Sequence, residues 1–222
     1  MEQGKKTGET YFKFDKKELA NAQEIIDCHD VEIEEYDLSH SYDENLNETP
    51  EDLEDMSLYA DVLIAVARIE YEKPEKDRDW QQIAKNLGMA GVLRKMTKHF
   101  ADAEKLLKAS LELIQGKKLS QNLYVQQSVR LHDTQRRMKA YEESLQGLTK
   151  IVDLCSKNEA VAQYLDFAIQ HLGKTQFTMG KIDEAMKSFQ RALELRMKKQ
   201  DRDLIESSQT AIKACQKKMR AH

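Results

Sequence analysis

Residues of matched size return along this chain at one fixed interval. Ala103, Ser144 and Ala185 lie 41 residues apart, and the same step links Leu107, Leu148 and Phe189. A constant step over three units predicts stacked supersecondary repeats, each too small to bury its apolar face without its neighbours. The third copy, Ile169 to Leu195, is the fullest: Leu172-Gly173, Gly180, Ile182, Glu184-Ala185, Phe189 and Ala192-Leu193. Apolar residues three, four and seven apart predict a pair of helices in each unit. Turns are expected at Lys98-His99, Lys139 and Gly180. A stack of this kind has no single globular core, so 222 residues do not fix the number of domains.

Composition narrows the class further. One third of the residues are charged, and no apolar run approaches a membrane span. The opening Met1-Glu2-Gln3-Gly4-Lys5-Lys6 lacks the apolar core of a secretory signal, and Cys28, Cys155 and Cys215 are odd in number and unclustered. The expected setting is a reducing, cytoplasmic one, with neither a disulfide framework nor a metal site. The net charge of −4 hides a strong asymmetry. Nineteen carboxylates and five lysines precede Arg68, and no Lys or Arg occurs between Lys17 and Arg68. An acidic front is joined to a basic body.

Local signals divide the chain. Leu19, Ala20, Ala22, Ile25 and Ile26 predict a helix over Asp15–Asp27, followed by an acidic loop from His29 to Glu48. Thr49-Pro50-Glu51-Asp52 predicts a helix start, with Thr49 as cap, Pro50 in the first position and two carboxylates at the positive end of the dipole. Pro74 should break that helix before another begins near Asp79, where Trp80 is expected to anchor the preceding helix. Gly116 should close the second helix of the first copy. The amphipathic stretch Leu204–Met219 suits a terminal cap. The resulting division is an acidic segment at 1–57, a connecting helix at 58–78, repeats at about 79–116, 119–157 and 159–199, and a capping helix at 202–220.

From about Asp79 to Arg220 the residues resemble the tetratricopeptide repeat family. The third copy meets its pattern with Gly173, Ala185, Phe189 and Ala192; the first keeps Gly91, Ala103 and Leu107 but carries Ser110, and the second places His132 where Gly or Ala is usual. The step of 41 exceeds the common 34 and is similar to the longer-helix variety of kinesin light chains and bacterial peptide-pheromone receptors. The resemblance implies an all-α, right-handed superhelical solenoid whose first helices line a concave groove. By register, the implied lining is Lys85, Val92, Lys95 and Met96; Gln126, Val129, Asp133, Arg136 and Arg137; and Phe167, Gln170, Lys174, Phe177 and Thr178. The Lys/Asn clamp of chaperone-tail receptors is not matched, since Gly88 and Val92 stand at its positions.

These positions imply a non-enzymatic adaptor that holds an acidic peptide or partner helix. Lys85, Lys95, Arg136, Arg137 and Lys174 would supply charge, Phe167 and Phe177 apolar grip, and Gln126 and Gln170 polar contacts. The alternative is a peptide-sensing regulator switched by a change in the solenoid. For the acidic front two readings stay open: Glu32 to Asp55 folds across the basic groove and competes with an outside ligand, as charge complementarity allows, or it is a solvated acidic tail. Nucleic acid and membrane are not expected partners, and no cofactor is expected. No phosphate-cradling loop, His-Glu-x-x-His pair or Gly-x-Ser-x-Gly elbow occurs. Cys28-His29-Asp30 reads as a helix end.

Overall fold

The computed structural model describes residues 16–29 and 31–220, and over these the protein is all-α but for one short hairpin. The helices are α1 (Lys16–Cys28), α2 (Leu53–Glu72), α3 (Trp80–Met96), α4 (Phe100–Gly116), α5 (Gln121–Arg137), α6 (Tyr141–Lys157), α7 (Leu165–Thr178), α8 (Ile182–Lys199) and α9 (Arg202–Arg220). Strands β1 (His40–Tyr42) and β2 (Glu48–Pro50) pair as the hairpin. Two compact units result. The first holds the described residues through Ser41 and Thr49–Thr134; the second holds the hairpin tip, Tyr42–Glu48, and the chain from Gln135 onward. The division therefore falls inside α5, not at the border between the acidic front and the repeats.

In the first unit α2 packs against both α1 and α3, so its apolar residues extend over more than one face. Met56, Ala60, Val62 and Ala67 are fully enclosed with Ile83, Ala84, Leu87 and Ala90 of α3, and Leu106 and Ile114 of α4 complete the core. Trp80 meets Tyr71 of α2 edge-on at 5.8 Å, with Lys117 Nζ 4.0 Å from the face of its ring. Helix α1 ends at Cys28, where His29 N–H donates to Ile25 C=O; Asp30 lies outside the described residues.

Two local expectations are corrected. Helix α2 begins at Leu53, not at Pro50: Thr49 and Pro50 lie in β2, Glu51 N–H donates to Ser39 C=O, and Asp52 is the cap, accepting from Asp55 N–H at 2.9 Å. The hairpin takes the backbone that would have opened the helix, and the next available carboxylate replaces Thr49. The acidic run is likewise more than loop, carrying a 3₁₀ turn at Ile33–Glu35 and then β1. The break at Pro74 occurs as the sequence indicates, and Asp79 caps α3 by accepting from Gln82 N–H. Gly116 ends α4, but the left-handed residue that turns the chain is Lys118, at φ 52°.

The repeat register is visible in the backbone. Lys98, Lys139 and Gly180, again 41 apart, take φ of 66°, 66° and 77° at the three intrahairpin turns. In each, the next amide reaches back to close the helix: His99 to Arg94 C=O, Ala140 to Gln135 C=O and Lys181 to Gln176 C=O. This is one C-terminal capping motif used three times. Two of the register glycines sit in tight contacts between helices. A Cβ on Gly91 would lie 2.8 Å from Leu107, and one on Gly173 2.6 Å from the ring of Phe189. Ser110 Oγ donates to Ala84 C=O at 2.7 Å, so the small polar residue of the first copy is satisfied in the core.

In the second unit, α6 packs on α7, α7 on α8 and α8 on α9. Ser144 and Thr175 share a buried hydroxyl contact of 3.0 Å between α6 and α7. A buried polar cluster fastens the last helix. Arg196 of α8 donates to Asp166 of α7 at 3.1 Å, and to Leu204 C=O and Ser208 Oγ of α9, while Ser208 donates to Gln170 at 3.0 Å. Gln200, at φ 60°, ends α8, and Asp201 caps α9. Below this network Ala185, Phe189, Ala211 and Cys215 form an apolar core with Phe177 and one residue from far upstream, Leu46.

Candidate functional site

The tip of the hairpin is a closed turn organised by one carboxylate. Asp43 accepts from Asn45 N–H at 2.8 Å and from Asn47 through both its backbone amide and its side-chain amide, each at 2.9 Å. The backbone closes it as well, with Leu46 N–H donating to Asp43 C=O and Asp43 N–H to Asn47 C=O. Partial burial pushes the Asp43 carboxyl up, but the hydrogen bonds from Asn47 and Asn45 and the positive charge of Arg137 outweigh it and hold the group below its ordinary range. Asp43, Glu44 and Asn45 are exposed, whereas Leu46 is 4% exposed and enters the core beside Phe177 and Phe189.

Cations of the second unit meet this turn. Lys174 of α7, itself buried, donates to Glu48 at 2.7 Å, and its ammonium lies 4.9 Å from the centre of the Tyr42 ring. Arg136, at the end of α5, donates to Asn47 Oδ1 at 2.8 Å and is 3.4 Å from Thr178. Arg137 Nη1 is 4.0 Å from Glu48. Tyr42 and Leu46 from the turn, and Gln170, Lys174, Ser207, Thr210 and Ala211 from α7 and α9, line one narrow cleft. The arrangement binds a carboxylate, an amide and an apolar side chain from a single short segment. Lys174 makes a short charge-assisted bond to the turn, in a low-dielectric setting where such a bond is strong.

The residues implied by the repeat register divide between the units. Arg136, Arg137, Phe167, Gln170, Lys174 and Phe177 belong to the second. Of these, Arg136, Arg137 and Lys174 are brought to the turn. Gln170 lines the cleft and accepts from Ser208, Phe177 is core, and Phe167 stands edge-on to His171 at 4.7 Å on the half-buried flank of α7. Lys85, Lys95 and Gln126 belong to the first unit. Lys85 is exposed and Gln126 half-buried. Lys95 is enclosed and ion-paired with Asp133 at 2.6 Å, joining α3 to α5; Met96 and Val129 are also buried. Both partners of this pair come from the implied lining, so they satisfy one another instead of facing solvent.

Sequence reasoning missed Leu46, Asn47 and Tyr42. The signal for them was slight: one apolar residue in a seven-residue stretch whose other six are polar or aromatic, flanked by two Asn and a Glu. Among the described residues no group of three or more His, Cys, Asp or Glu side chains is placed to hold a metal ion, and no helix is long and apolar enough to cross a membrane. Comparison with protein families, curated proteins and solved structures finds no match to this chain.

Proposed function

We propose that the protein is a non-enzymatic adaptor, built as a right-handed solenoid of tetratricopeptide-like hairpins, that binds an acidic peptide or partner segment. The observation that carries this reading is the convergence of Lys174, Arg136 and Arg137 on an acidic segment brought from more than 80 residues away in sequence. Ion pairs at such a surface choose and orient a partner more than they add raw affinity. The three repeated turns and the close approaches at Gly91 and Gly173 support the solenoid.

Titration of fluorescent Glu-rich peptides into the full chain tests the function. Binding is expected at low ionic strength and should weaken as salt rises, since the exposed carboxylates of the free peptide are screened before they reach the site. Arg136→Glu combined with Arg137→Glu should abolish it. Arg137→Gln, milder because Arg136 keeps its bond to Asn47, should reduce it, with circular dichroism confirming that each variant is folded. Equal binding by the native chain and a folded Arg137→Gln variant would remove the adaptor reading.

A further inference from the structure

The tip of the hairpin has the form of a ligand. Its seven residues cluster with the second unit, while the chain on either side, through Ser41 and from Thr49, belongs to the first. Its backbone points the same way. The non-glycine residues at positive φ among the described residues are Leu46, Lys98, Lys118, Lys139 and Gln200. Four of these are exposed polar residues at helix ends, where the chain must turn. Leu46, at φ 59°, is the exception: a bulky apolar residue, almost fully buried, in a conformation that Gly or Asn adopts with less strain. Strain of this kind persists where the surroundings impose it, and here the surroundings are Phe177, Phe189 and Ala211.

The features read off the turn define what its surface accepts. Leu46 fills the apolar pocket, Asn47 one residue on meets Arg136, Glu48 two residues on meets Lys174, and Tyr42 lies against the same ammonium. Asp43 keeps the segment folded back on itself. We propose that the second unit is a receptor for acidic tight turns bearing a Leu with a carboxylate two residues later, presented by a partner protein, and that the chain's own tip occupies this receptor until such a turn displaces it. The proposal rests on the adaptor reading and specifies its preferred ligand: a folded turn, bound more tightly than an extended acidic segment of equal charge.

Displacement has a measurable signature. A tethered segment competes at an effective concentration of about a millimolar, and a ligand's apparent affinity falls by the fraction of receptor left open. Emptying the receptor should therefore raise affinity for a turn in trans by at least ten-fold. The probe is a fluorescent cyclic peptide with the sequence of residues 41–50. Its controls are the same ring with Ala in place of Leu, and a linear scramble of equal charge. The proteins are the full native chain, Leu46→Ala/Glu48→Gln, and that double variant with Lys174→Met added.

The cyclic peptide should bind the emptied chain at least ten-fold more tightly than the native chain, at least ten-fold more tightly than either control binds it, and not at all once Lys174 is replaced. Should the double variant fail to fold, Glu48→Gln alone retains Leu46 in the core and should show a several-fold gain. Equal affinity of native and emptied chains, or no gain in Glu48→Gln, overturns the proposal. Equal binding of the scramble overturns recognition of a turn and leaves charge alone, with the adaptor reading intact. Failure of the Glu-rich peptides to bind any form of the chain would instead strike the adaptor reading itself.

Discussion

Replacing Lys95 by Met should destabilise the first unit by about 3–5 kcal/mol, the cost of removing one member of a buried ion pair. The Lys95 and Asp133 side chains are 6% and 1% exposed and meet at 2.6 Å. At an effective dielectric constant of ~20 their attraction is roughly 6 kcal/mol, against a desolvation cost of several kcal/mol for each ion. The pair as a whole is then near neutral relative to apolar residues of similar shape, whereas losing the ammonium leaves the carboxylate its burial cost without the attraction of that ion. Two single variants and their combination separate these terms. Lys95→Met and Asp133→Leu should each be strongly destabilised, and the double variant should recover to within about 1 kcal/mol of the native chain, a large coupling for residues in contact. For a chain of this size 3–5 kcal/mol corresponds to a fall of roughly 10 °C in the melting temperature. Urea unfolding followed by circular dichroism, scored on the transition that Lys95 moves, provides the measurement, since two compact units need not unfold together. A single Lys95→Met variant within ~1 kcal/mol of native, or a double variant no better than either single, would refute the reasoning. The outcome also bears on function: a loss of peptide binding in a Lys95 variant counts as a binding effect only where the melting temperature is unchanged.

Smaller perturbations follow from single contacts. Gly173→Ala gains about 1 kcal/mol of helix propensity but sets a methyl 2.6 Å from the ring of Phe189, itself fully buried; overpacking of about 1–3 kcal/mol wins, and thermal melting should show a net loss. Lys139→Gly relieves a left-handed residue at φ 66°, matching what the third copy has at Gly180, and should stabilise by about 1 kcal/mol in the same assay. Of the three cysteines, Cys28 is exposed while Cys155 and Cys215 are enclosed, and burial raises both enclosed thiols, Cys215 to about 11. A thiol reagent at pH 8 should therefore label one site quickly and two more only on unfolding. The Asp43 carboxyl is held below its ordinary value of 3.8, so its contribution to the turn is complete above that pH and is lost as the pH falls toward the folded value. The Leu46 methyl resonances should stay unchanged from pH 7 down to the ordinary carboxyl value of 3.8 and shift only below it, and Asp43→Asn should remove that shift.

Much of the helical plan was legible because its causes are local. The step of 41 showed which residues would share a role, and the turns at Lys98, Lys139 and Gly180 needed only the next few residues to close them. The helix start near Asp79 could be placed for the same reason. The start of α2 was misread because Thr49-Pro50 carries valid capping chemistry that a distant strand, His40–Tyr42, takes for itself. Two strands of three residues offer no alternating pattern long enough to announce them. The fate of the cations was hidden by distance along the chain. Lys95 meets Asp133 38 residues on, Arg136 meets Asn47 89 residues back, and Lys174 meets Glu48 126 residues back. Register gives the face on which a residue lies, but not which opposite charge will reach it.

The two buried cations, Lys95 and Lys174, show why that distinction matters. Both are almost fully enclosed, and both hold a carboxylate at hydrogen-bond distance. Asp133, however, lies inside a seventeen-residue helix, so its position is fixed by the hydrogen bonds of that helix and by side chains such as Val129 that lock it in the core. Glu48 opens a three-residue strand at the end of a turn whose shape depends on Asp43 and whose attachment depends on Leu46. Releasing Asp133 would require α5 to leave its packing, whereas releasing Glu48 requires a seven-residue tip to withdraw Leu46 from the core and to give up its contacts with Lys174, Arg136 and Arg137. Opening free energies range from near zero in small surface elements to the global value in core helices. The Lys95 pair is therefore structural, and the Lys174 pair is the one that an incoming acidic turn can replace.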